Sequence, residues 1–117
     1  MPIDRRPIEQ MILDVGEEAF QRLAHLFESE TRAALQDMRR LLATDDWREL
    51  GRQAHSLKHA TSSFGLNAMA LTASELERAA DAADGREAAA RLAQLETRAG
   101  PDLEELEQAL RGLASAG

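Results

Sequence analysis

Residues 47–64 read WRELGRQAHSLKHATSSF. Trp47, Leu50, Ala54, Leu57, Thr61 and Phe64 follow one another at steps of three and four, which on a helix turning about 100° per residue places them on one stripe. The spacing predicts an amphipathic helix that buries this stripe. It begins after Asp45 or Asp46, either of which can accept from the free N–H groups of a first turn. Gly65 and Asn67 end this helix and open another, which shows Met69, Ala73, Leu76 and Ala80 at the same spacing before Asp84-Gly85 stops it. The connection is so short that the two helices are expected to be antiparallel neighbours.

Outward from this hairpin the same pattern repeats. The stretch from Glu17 to Ala43 carries Phe20, Leu23, Phe27, Ala34, Met38 and Leu41 on one side and Arg22, Glu28, Arg32 and Arg39 on the other. His25 falls between its core positions and is expected to be a partly buried packing residue. A short stretch from Pro7 to Val15, with Ile8, Met11, Ile12 and Val15 at helical spacing, reads as a lid across one end of a bundle, with Pro7 at its first helical position. Beyond the Ala-rich region from Ala79 to Ala93, Leu92, Leu95, Ala99, Leu103, Leu106, Leu110 and Leu113 keep their steps through Gly100-Pro101. That predicts one kinked helix, or two joined at Gly100.

Composition agrees with helices. Leu and Ala supply 39 of the 117 residues, whereas Val, Ile and Thr supply nine, and there is no Cys. An all-β fold, a disulfide framework and a thiolate metal site are excluded. The expectation is one all-α domain over residues 1–117, an antiparallel four-helix bundle with a short N-terminal cap helix. A net charge of −7 argues against binding to nucleic acid or to an anionic membrane. No apolar run approaches the length of a membrane span, and the N-terminus MPIDRRPIEQ has no apolar core like that of a secretory signal, so the mature chain is expected to be this one, in the cytoplasm.

Candidates for chemistry are few. The sequence holds no Gly-rich phosphate loop, no GxSxG elbow and no HExxH. The cluster that stands out is Arg52-Gln-Ala-His55-Ser-Leu-Lys58-His59-Ala-Thr-Ser62. His55 lies one position past the buried Ala54, half supported and half presented, with Lys58, His59 and Ser62 on the same outward side. Lys58 is the single Lys among fourteen cationic side chains, and a compact ammonium grips phosphate as a point charge. With Arg48, Arg52 and His59 it makes a basic stripe on an acidic molecule, suited to docking an acidic partner surface. Two other readings stand beside this one. His55 and His59 are four apart and could ligate a metal, with Glu77 as a third ligand; or the chain is a helical adaptor without chemistry, which would leave the His-Lys cluster unexplained.

Ala54-His55-Ser56-Leu57-Lys58, the small residues through Ser63, Gly65 ten places after His55, and Leu76-Glu77 resemble the histidine phosphotransfer (HPt) domain of two-component phosphorelays. The resemblance spans nearly the whole chain in helix order and length. It implies a phosphocarrier with no ATP site or cofactor of its own, fed by a hybrid sensor histidine kinase and exchanging phosphoryl groups with response-regulator receiver domains, which supply the Mg²⁺. It makes His55 the phosphoacceptor, Lys58 the phosphate-stabilising residue and Glu77 the polar neighbour of the imidazole. One departure is plain: the family usually has Gly after the Lys, where this chain has His59.

The place of Glu77 also follows from counting. His55 lies eleven residues before Leu66, at the centre of the turn, and Glu77 eleven after it, so an antiparallel pair sets them at one height. A carboxylate accepting from Nδ1–H would fix the tautomer and leave the Nε2 lone pair pointing outward as a nucleophile. The bland alternative is a solvated Glu77 paired with Arg78 or Arg52.

Overall fold

The computed structural model describes residues 3–116, the side chains of 113–116 excepted. Five helices follow one another: α1 (Arg5–Val15), α2 (Glu17–Ala43), α3 (Trp47–Ser63), α4 (Asn67–Asp81) and α5 (Gly85–Ala116). No strand occurs among the described residues. At about 1.5 Å per residue α5 is roughly as long as the 47 Å molecule.

Local chemistry sets the helix ends. Asp46 is the residue that caps α3, accepting from the Glu49 N–H at 3.3 Å. Asp4 caps α1 by accepting from the Arg6 N–H at 3.0 Å, so this helix starts two residues before Pro7. Pro7 is still in the first turn, where its missing N–H has no helical partner to lose. The α4–α5 reversal also differs from expectation. Ala83, not a glycine, takes the left-handed conformation (φ 52°), while Gly85 opens α5 behind the cap of Asp84. Pro101 sits inside α5, which continues through it as one helix. Both Pro101 and Thr97, whose carbonyl loses its helical partner, are exposed, so water can take the place of the missing N–H.

Each long helix packs against two others: α3 on α2 and α4, and α5 on α2 and α4, closing a ring, with α1 against α2 and α3. The stripes meet inside this ring, where Phe20, Met38, Leu50, Met69, Leu76, Leu92, Leu95 and Leu103 are fully buried. Phe64 joins two layers, its ring stacked on Phe27 at 4.4 Å between centroids and tilted to Phe20 at 6.0 Å. On α2 the buried stripe is Phe20, Ala24, Phe27, Thr31, Met38 and Leu41. Leu23 lies on its flank and is 42% exposed, and His25 is exposed, so neither is the packing residue expected. Val15 of the cap helix is likewise exposed, whereas Ile8 is buried. Leu113, expected on the α5 stripe, has its side chain outside the described residues.

The α3–α4 turn is clasped by the N-terminal segment. The Asp4 N–H donates to the Gly65 carbonyl at 2.8 Å, and Ile3 is buried. Gly65 has φ 74°, and a Cβ there would lie 1.8 Å from the Asp4 carbonyl oxygen. Only glycine fits both the backbone angle and this approach.

Candidate functional site

The α3 stripe turns Leu50, Ala54, Leu57 and Thr61 inward, which sends His55 and His59 to the surface and leaves Lys58 between. Thr61, the polar member of the stripe, satisfies its hydroxyl within the helix by donating to the Leu57 carbonyl at 2.7 Å. Facing α3, Leu76 of α4 is buried and Glu77 follows it, partly buried. Numbers fall along α4 as they rise along α3: Gly51 lies against Ala80 and Asp81, and His55 against Glu77.

Glu77 joins the cluster. His55 Nδ1 donates to its Oε2 at 2.9 Å, and the Lys58 ammonium donates to its Oε1 at 3.2 Å. Burial alone would raise the Glu77 pKa. The hydrogen bonds from Lys58 and His55, with their charges, outweigh it and hold the carboxyl below its usual value. Glu77 is therefore an anion at neutral pH and can only accept, which puts the proton of a neutral His55 on Nδ1. The imidazole side chain remains half exposed, at 50%, while Glu77 is at 23%.

The other nitrogen is not free. His55 Nε2 lies 3.1 Å from His59 Nε2, with the rings edge-on at 4.5 Å between centroids. The expected outward lone pair thus meets a neighbour from the next turn. The structure also modifies the basic stripe. Arg52 donates to Glu49, with Nε to Oε2 at 2.9 Å, and so is compensated within its own helix. Lys58 is engaged by Glu77, while Arg48 is exposed and makes no ion pair among the described residues. Ser62 is exposed one turn beyond Lys58.

Beside this face an open groove between α2 and α3 is lined by Phe27, Thr31, Ala34, Arg52, Ser56 and Leu57. Sequence reasoning missed it, because Ser56 carries no chemical signal and Thr31 was not on the expected stripe. For the metal reading, two Nε2 atoms do converge, but Glu77 is spent on Nδ1 and His25 is exposed on α2. Among the described residues no group of three His, Cys, Asp or Glu side chains could hold an ion. Nor is any described helix long and apolar enough to cross a membrane.

The family model for the Hpt domain matches residues 22–116. No curated protein and no solved structure matches the chain.

Proposed function

The chain belongs to the Hpt domain family, whose members are phosphotransfer modules of two-component signalling, and from that premise we propose that it relays phosphoryl groups between receiver-domain aspartates through His55. The observation that carries this reading is the half-exposed imidazole with its Nδ1–H on an ionised Glu77, an arrangement that leaves Nε2 as the nucleophilic atom.

In the forward step the Nε2 lone pair attacks phosphorus of a receiver phosphoaspartate in line. The N–P bond forms, the P–O bond to the aspartyl group breaks, and its electron pair leaves with the receiver's carboxylate. The His55 ring then carries a positive charge, which Glu77 faces across the Nδ1–H bond. Lys58 is within reach to exchange Glu77 for a phosphoryl oxygen. The chain's part is position and charge. Nucleotide chemistry belongs to a hybrid histidine kinase, and Mg²⁺ to the receiver. Arg48, Arg52, His59 and Ser62 border the docking face, and the groove beside Ser56 adjoins it.

The architecture proposed for this task is a single domain in which α2–α5 form an antiparallel four-helix bundle capped by α1. The closed ring of helix contacts and the opposed numbering of α3 and α4 support it. Such a relay operates in the cytoplasm. The test is incubation with a phosphorylated receiver: an acid-labile, base-stable label is expected on the wild-type chain and none on His55→Gln, which should remain helical because the site is exposed. A label that persists in His55→Gln would defeat the assignment.

A further inference from the structure

We propose that His59 is a latch on the acceptor nitrogen: its Nε2–H donates to the His55 Nε2 lone pair and lowers the reactivity of that atom until His59 swings away. This rests on the reading of His55 as acceptor only for its biological meaning, since the latch itself is a property of two side chains.

The direction of the bond follows from the groups around it. Ionised Glu77 accepts from His55 Nδ1, so a neutral His55 has no proton on Nε2 and can only accept there. His59 Nε2, 3.1 Å away, must then be the donor. The two rings come from successive turns of α3, where residues four apart are neighbours, so the contact needs no rearrangement of the backbone. It occupies the lone-pair direction along which a phosphorus atom or any other electrophile must arrive. Glu77 bonds the ring at Nδ1 and Lys58 bonds Glu77, which leaves His59 as the group bonded at Nε2 among the described residues. A glycine in its place would leave the nitrogen open.

The effect can be read without any signalling partner by using diethyl pyrocarbonate, which ethoxyformylates an imidazole nitrogen through its lone pair. Trypsin cuts after Arg52 and Lys58, so His55 is the one histidine in the peptide Gln53–Lys58, and exposed His25 serves as an internal reference. Relative to His25, His55 should react about two- to tenfold faster in His59→Ala, the factor expected for removing one ordinary hydrogen bond. His59→Phe keeps the bulk without the donor and should behave like the Ala variant, whereas His59→Gln, which retains an N–H, should stay closer to wild type. Circular dichroism of each variant reports whether the helix is kept.

Unchanged His55 reactivity in both His59→Ala and His59→Phe would overturn the latch. So would a fast Ala variant with a slow Phe variant, which would mean that the ring covers the nitrogen by bulk alone. Failure of phosphotransfer from a receiver, with the reactivity differences intact, would count against the relay and leave the latch standing.

Discussion

At the residue scale, Glu77 is the pivot, because one carboxylate serves both His55 and Lys58. In the proposed relay, removing Lys58 takes away a charge-assisted contact to the transferring phosphoryl group, worth about 1.5–3 kcal/mol, so Lys58→Ala is expected to slow transfer roughly ten- to a hundredfold in a single-turnover assay. Glu77→Ala frees the tautomer and should slow transfer less. Neither change should alter the thermal midpoint much, since a partly exposed ion pair contributes about 1 kcal/mol or less. Wild-type rates in both variants would show that the arrangement around His55 is incidental to transfer. The Glu77 contact was legible in the sequence because equal spacing about a short turn fixes height. The His59 contact was not, since spacing puts the two imidazoles on one face without saying that their nitrogens meet.

At the element scale, two of the four turns that hold a residue at positive φ do so for different reasons. Ala83 adopts φ 52° at the end of α4, where its N–H donates to the Ala80 carbonyl and the Asp84 N–H to that of Ala79. A side chain is strained there by roughly 1–2 kcal/mol, so Ala83→Gly is expected to stabilise the protein by about 1 kcal/mol in a denaturant melt. Gly65 is the opposite case. Its substitution by Ala would force the left-handed strain and a collision with the Asp4 carbonyl together. Gly65→Ala is therefore expected to lower stability by about 2 kcal/mol or more and to release the N-terminal segment, seen as new protease cleavage before α1. Composition and periodicity mark where a chain turns, but they do not say which residue bears the unusual angle. Hence Gly85 looked like the stop and Ala83 does the work of one.

At the scale of the whole molecule, the carboxylates divide into two groups with opposite effects on acid stability. Asp4, bonded chiefly to the Arg6 side chain, is lowered to about 2, and Asp37, Glu49 and Glu77 are also held below their usual values. Each contributes stability that is present above its unfolded pKa and is lost as pH falls through the lower folded value. Asp102 runs the other way: burial raises its pKa, against the charge and hydrogen bonding of Arg98, with Nε to Oδ1 at 3.2 Å. The folded state then binds that proton more readily than the unfolded chain, so Asp102 works against the fold when ionised and less so as pH falls. Asp102→Asn is expected to raise the thermal midpoint at pH 7 and to lose that advantage near pH 4; an equal shift at both values would contradict the sign. The all-helical class and the stripes of α3, α4 and, as far as Leu110, α5 could be read ahead because Leu and Ala recur with the helical period, whereas Val15 of α1 and Leu23 of α2 are exposed. Leu23 misled because Leu23 and Ala24 both fit that period, and only the packing of the whole bundle buries Ala24 and leaves Leu23 42% exposed.

The clasp between Asp4 and Gly65 bears on where this protein can be cut. The family match begins at residue 22, yet Ile3, Ile8 and Phe20 are buried, and Phe20 lies against Phe64 at the end of α3. A truncation made at the family boundary would uncover an apolar wound beneath the turn that joins the helices carrying His55 and Glu77. The matched stretch is shorter than the packed core, and it is the longer one that an expression vector or a fusion partner has to respect.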